Sequence, residues 1–170
     1  SFTLFRDSAV SMASVIPPLT RDSRQIGGDP FIRFATDYAF EMPAVKVAMA
    51  QRQYTPDVWM YRYELVTRSG IESGWKASHA FELPAVFVKP DHPFSHFAFG
   101  GEPQEVFEKI SKEMHGDWIS FVKTGDPNPD WQRFEGADSP VRIYDRETRT
   151  ERLDRRQLME VWDDMRFYES

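Results

Sequence analysis

Apolar and polar residues alternate along this chain in several distinct rhythms, and each rhythm predicts an element. Phe107, Ile110, Met114, Trp118 and Phe121 recur at intervals of three and four residues, placing them on one face of a helix. Glu102 and Pro103 suit its first turn, and Thr124-Gly125-Asp126-Pro127 suits its end, with a left-handed glycine followed by proline. Val58-Trp59-Met60-Tyr61-Arg62-Tyr63-Glu64-Leu65-Val66 is dense in aromatic and β-branched residues, as a strand covered on both faces would be. From Phe31 to about Gln53 the apolar positions Phe34, Tyr38, Val45 and Met49 are less evenly spaced, and Pro43 interrupts the hydrogen-bond ladder. Two helical segments or one kinked helix are expected there, starting near Pro30.

Between these elements the chain is punctuated. The opening region is the least regular, with Pro17-Pro18, Gly27-Gly28 and Asp29-Pro30 breaking it. Residues Thr67 to Lys76, which include Gly70 and Gly74, read as a loop that leaves the strand and leads to the segment from Ala77 to Phe87. Lys89 to Gly101 reads as a further loop. A short strand, Val141 to Tyr144, and a charged helix from about Arg155 to Phe167 complete the order.

A strand, a loop, a long amphipathic helix and a short strand predict the α/β class, as the closing half of a sheet with helices packed on it. Two convincing strands form a marginal unit, because so small a sheet leaves edges unpaired and helix faces uncovered. This incompleteness predicts a fragment of a larger fold. The chain also begins at Ser1 rather than Met, as expected of an amino terminus that was cut, processed or left by cloning.

Composition narrows the function. A hydrophobic fraction of 41 %, with 14 Phe, 5 Trp and 6 Tyr in 170 residues, offers enough apolar surface to offset the entropy of ordering the chain. The net charge of −6, with acids and bases interspersed, lacks the attraction to phosphate on which nucleic-acid binding depends. No membrane span is expected, since no apolar run approaches the roughly 18 residues required. Arg6 and Asp7 break the stretch from Ser1 to Leu19 where a signal peptide needs its apolar centre. The absence of cysteine removes disulfides, thiolate catalysis and cysteine-bound zinc. It fits a reducing, cytoplasmic compartment, and cysteine-free secreted proteins fit it equally.

Few residues suggest chemistry on their own. His92 and His96 have the spacing of metal ligands on a helix, but Pro90, Pro93, Gly100 and Gly101 argue for loop and no third ligand is evident, so neither a metal nor a cofactor is expected. Phe94, Phe97 and Phe99 can shape a pocket or simply anchor their loop, and the anchor is the more ordinary role. Gly70 and Gly74 have the spacing of a nucleophile elbow, yet Glu72 occupies the serine position and Ser73 comes one place late. His79, alone, would be an ordinary structural histidine.

Its neighbours change that reading. Thr36-Asp37-Tyr38-Ala39-Phe40-Glu41-Met42-Pro43, the strand Val58 to Tyr63, the segment His79 to Phe87 and the helix end Trp118 to Asn128 occur in this order. Together they resemble four ordered segments of the type-B carboxylesterase family, which includes para-nitrobenzyl esterases and cholinesterases. The resemblance covers most of the chain. It implies an α/β-hydrolase with a serine, an acid and a histidine in that order, and His79 matches the family's catalytic histidine. Imidazole suits the role because its ordinary pKa lies near the working pH, so it can take the serine proton and return it to the leaving alcohol.

The resemblance further implies that nucleophile, acid and main oxyanion donors lie outside residues 1–170, which form the C-terminal segment of one catalytic domain. The expected partners are the N-terminal part of the same hydrolase and a small carboxylic ester; the segment alone is expected to be inactive. Within it, Glu82 is expected to brace the histidine loop, Ser78 to be structural, and Asp37 to fix local packing without a catalytic role. A second function class is a non-catalytic, cholinesterase-like interaction module. A Gly-x-Ser-x-Gly elbow upstream distinguishes an enzyme from that module, in which Gly or Ala replaces the serine.

Overall fold

The computed structural model describes residues 12–15, 36–153, 155–156 and 159–160. Their strands are β1 (Met12–Val15), β2 (Trp59–Tyr63), β3 (Pro140–Tyr144) and β4 (Arg149–Arg152). A π-helical turn (Asp37–Glu41) leads into α1 (Met42–Arg52). The other helices are α2 (Arg68–Ser73), α3 (Leu83–Val86), α4 (Pro93–Phe99) and α5 (Gln104–Thr124). The expected helix start at Pro30 lies outside the described residues; of the expected last helix, Arg156, Met159 and Glu160 are helical.

The four strands form one sheet in chain order. β1 runs parallel to β2 and β2 to β3, while β4 pairs antiparallel with β3. The sheet therefore has two strands more than the two expected. β2 is its hinge between two cores, and all five of its residues are buried. Side chains alternate across a strand, so Trp59, Tyr61 and Tyr63 join one cluster with Phe81, Ile110 and Met114. Val58 and Met60 join the other, with Val45, Ala48, Phe134 and Ile143.

Helix α5 presents Phe107, Ile110 and Met114 to the first core, with Trp118 and Phe121 packed at its margin. Gly125, at φ 80°, ends the helix by donating its N–H to the Phe121 carbonyl at 2.8 Å. Ser111 Oγ donates to the Ala85 carbonyl at 2.8 Å, fastening α3 to α5. At the far end of α5, Asp117 receives the Tyr144 hydroxyl at 2.6 Å and the Asn128 amide at 3.0 Å. Arg142 stands beside the same carboxylate, 2.8 Å from it, so the end of the long helix is tied to β3.

Two segments expected as loops are helical. Thr67 caps α2, its Oγ1 accepting the Gly70 N–H at 3.1 Å, so a polar residue shortly after the strand starts a helix. His92 caps α4 through Nδ1, and Pro93 begins that helix, a position where its missing N–H costs nothing. Among the described residues no helix is long and apolar enough to cross a membrane.

Candidate active site around His79

The His79 segment follows β2 through helix α2. After α2 the backbone turns at Gly74, in the left-handed region at φ 78°, and again at Lys76, at φ 54°. Lys76 N–H donates to the Gly70 carbonyl at 2.8 Å. In return the Lys76 carbonyl lies so close to Gly70 that a β-carbon there would stand 2.6 Å from it. Ala77 is buried, Ser78 half-buried and His79 exposed, so the chain rises to the surface over three residues. Ala80 then adopts φ 69°, a strained value for a residue with a β-carbon. The turn closes with Phe81 N–H on the Ser78 carbonyl at 3.2 Å.

Both sides of this turn are anchored. Before it, Thr67 Oγ1 donates to the Ala98 carbonyl at 2.8 Å. After it, the buried Phe81 ring packs edge-on against Phe94 and Phe97, with centroids 5.9 and 5.4 Å away. Phe94 and Phe97 thus fasten helix α4 to the histidine turn, while Phe99 packs against Phe107.

The imidazole of His79 lies on the ring of Phe40, with centroids 5.0 Å apart and planes 30° from each other. This contact joins two of the motifs that the sequence places far apart. Asp37, in the same π-helical turn, is buried. Glu82 is also buried and lies close enough to Tyr63 to act on its phenol. Burial first, and then the charges of Glu82, Asp145 and Glu102, push the Tyr63 phenol well above its ordinary value.

His92 and His96 sit at the start and on the last turn of α4. The Nδ1 atom of His92 is engaged by the Phe94 N–H at 3.2 Å, and among the described residues no three His, Cys, Asp or Glu side chains could hold a metal ion. Surface clefts occur beside Trp59 and Trp131 and beside Met42 and Met159, but His79 lines neither.

One feature escaped the sequence pattern. Glu41 is buried and accepts from Arg62 Nη2 at 2.9 and 3.1 Å and from Arg155 Nε at 2.8 Å. Arg62 also reaches Glu64 at 3.5 Å, and Glu64 receives Arg149 at 2.6 Å. Burial lowers the Arg155 guanidinium, Glu41 opposes that fall and Arg62 reinforces it. The available signal was Arg62 itself, a charge in the middle of a strand otherwise built to be covered.

The sequence model of the carboxylesterase family matches residues 12–162. The chain belongs to that family. It is 35 % identical over 119 residues to the para-nitrobenzyl esterase of Bacillus subtilis, an alignment covering 68 % of this chain and 23 % of that protein. It is 32 % identical to carboxylesterase 3 of Pongo abelii, covering 66 % and 21 % of the two chains. A Geobacillus stearothermophilus carboxylesterase structure superposes with a TM-score of 0.64 at 28 % identity, covering 78 % of this chain and 27 % of the other. The chain therefore spans between a fifth and a quarter of the curated relatives just named. The α/β reading holds: the described sheet and helices are part of an α/β-hydrolase fold.

Proposed function

We propose that this chain is the C-terminal segment of a serine carboxylic ester hydrolase and supplies its general base, His79. The observation that carries the reading is the placement of that imidazole. It is exposed on a turn held at both ends, and in tilted ring contact with Phe40, in a chain of the carboxylesterase family. Two strained or left-handed residues, Lys76 and Ala80, flank it, and backbone strain concentrates where geometry serves a reaction.

In this reading His79 accepts the proton of a serine hydroxyl as that oxygen attacks the ester carbonyl, then delivers it to the departing alcohol. Water replaces the alcohol in the second half, and the same imidazole activates it to release the acid. The serine, the carboxylate that orients His79 and the oxyanion donors come from the N-terminal part of the same hydrolase, the segment's principal partner. The sequence supports this division, since no Gly-x-Ser-x-Gly elbow occurs in its 170 residues. Residues 1–170 belong to a single catalytic domain and do not turn over ester alone.

The test compares the whole protein, its His79→Ala variant and residues 1–170 alone, each with a short-chain aryl ester. The whole protein hydrolyses the ester, the variant loses roughly 10⁴-fold or more in kcat, and the segment alone is inactive. Full turnover by the variant would remove the role of His79. Turnover by the segment alone that disappears with His79→Ala would overturn the division of the catalytic groups. A whole protein without turnover, carrying Gly or Ala in place of the elbow serine, would favour an interaction module.

A further inference from the structure

We propose that Phe40 is a positioning residue for His79, and that the π-helical turn Asp37–Glu41 is the fixture that holds it; this rests on reading His79 as the general base. A histidine on an exposed turn can rotate about its outer side-chain bond, and rotation moves both ring nitrogens. Phe40 meets the imidazole with ring centres 5.0 Å apart and planes 30° from parallel. The two rings are nearer to parallel than to edge-on, and a phenyl ring carries no hydrogen-bonding atom. The imidazole nitrogens lie at the edge of their own ring. Phe40 can therefore fix the plane of the ring without competing for either nitrogen, whereas a hydrogen-bonding neighbour would occupy one of the two positions catalysis needs.

The fixture has its own physical cause. Proline at position 43 has no N–H, so it cannot make the helical bond back to the Ala39 carbonyl. The chain widens here, and the Met42 N–H bonds to the Asp37 carbonyl, five residues back. The widened turn places Phe40 against His79 and its neighbour Glu41 against two guanidinium groups. Glu41 is anchored by Arg62 of β2 at 2.9 and 3.1 Å and by Arg155 at 2.8 Å. The segment that carries His79 follows the same strand through helix α2. Both members of the ring pair are thus referenced to β2, one through a buried ion pair and the other through the chain itself.

The test uses the whole protein with an aryl ester and compares Phe40→Leu, Phe40→Tyr and His79→Ala for kcat, KM and thermal midpoint. Phe40→Leu keeps an apolar side chain but removes the flat face; Phe40→Tyr restores it. The expected result is a fall in kcat of roughly ten- to a hundredfold for Phe40→Leu, with KM within about twofold, and recovery of most of the loss in Phe40→Tyr. A role in packing alone would lower the thermal midpoint and leave kcat per folded molecule unchanged, which overturns the inference. If Phe40→Leu yields no folded protein, Phe40→Met takes its place, read against Phe40→Tyr by the same split. Loss of turnover in His79→Ala together with an unaffected Phe40→Leu refutes the positioning role alone. Retained turnover in His79→Ala refutes the general base and the positioning role with it.

Discussion

At the residue scale, two tyrosines on adjacent strands face opposite demands. Tyr144 donates its hydroxyl to the Asp117 carboxylate at 2.6 Å, whereas the Tyr63 hydroxyl is buried with no hydrogen-bond partner among the described residues. A buried donor without a partner keeps the cost of its lost hydration. Tyr63→Phe should therefore leave stability within about 1 kcal/mol of the parent or raise it, while Tyr144→Phe should cost about 1.5–3 kcal/mol because it breaks a bond to a charged group. Alkali separates the two states further. Burial raises the folded Tyr63 phenol, so the native state keeps a proton that the unfolded chain gives up above about pH 10. Stability is intact below that pH and falls as pH rises beyond it, and Tyr63→Phe should soften that fall. Denaturant titration of the parent and both variants at pH 7 and in alkali checks this; a loss above about 2 kcal/mol in Tyr63→Phe at pH 7 contradicts it. Neither hydroxyl's surroundings could be read from the sequence, because the groups near them come from distant positions. The face that His79 meets was hidden for the same reason: its segment could be recognised, but the phenylalanine beneath it belongs to another motif.

At the element scale, legibility followed the apolar rhythm. Helix α5 is plain because its buried residues recur at the helical period, and strand β2 because a continuous run of aromatic and β-branched residues marks a strand buried on both faces. Strand β4 has no such rhythm: Arg149-Thr150-Glu151-Arg152 is a charged edge, mostly exposed, and pairing with β3 alone makes it a strand. Helices α2 and α4 were obscured by their punctuation. Pro93 starts its helix instead of breaking it, and Gly70 lies inside a helix because a side chain there has no room. Gly70→Ala should push its β-carbon against the Lys76 carbonyl, now 2.6 Å from that position, and so displace the turn leading to His79. A rigid backbone group cannot yield as a flexible side chain can, so a loss of about 1–3 kcal/mol and a lower kcat are expected together. Gly74→Ala is the control. Nothing lies within 4 Å of its β-carbon, so its cost is only the left-handed backbone, about 1–2 kcal/mol, without a matching loss of turnover. Equal losses of kcat in the two variants would show that the Gly70 contact does not place the histidine.

At the scale of the whole molecule, the two faces of β2 are held by different physics. One face is an aromatic core in which Trp59, Tyr61 and Tyr63 meet the long helix. The other begins with Val58 and Met60 and ends in charge, where Arg62 meets Glu41, Glu64 and, through Glu41, Arg155. The sequence shows that β2 is buried but not that one of its faces is ionic, since a pattern of residue types does not reveal which distant carboxylate meets an arginine. Two guanidinium groups converge on Glu41, so its removal leaves two buried cations short of their neutralising charge. Glu41→Ala should therefore cost about 3–5 kcal/mol, the range for breaking one side of a buried pair. Salt should not relieve that loss, because counterions cannot approach groups covered by protein. The ion pair between Arg133 and Asp57 provides the contrast: both side chains are about half exposed, and Arg133→Ala should change stability by less than about 1 kcal/mol. Denaturation of both variants at low and high salt measures the difference. A loss for Glu41→Ala that matches the surface variant, or that vanishes in high salt, would mean that the network is hydrated and does not bind the π-helical turn to the sheet. A large, salt-independent loss would establish it as the tie between the π-helical turn and the strand from which the His79 segment departs.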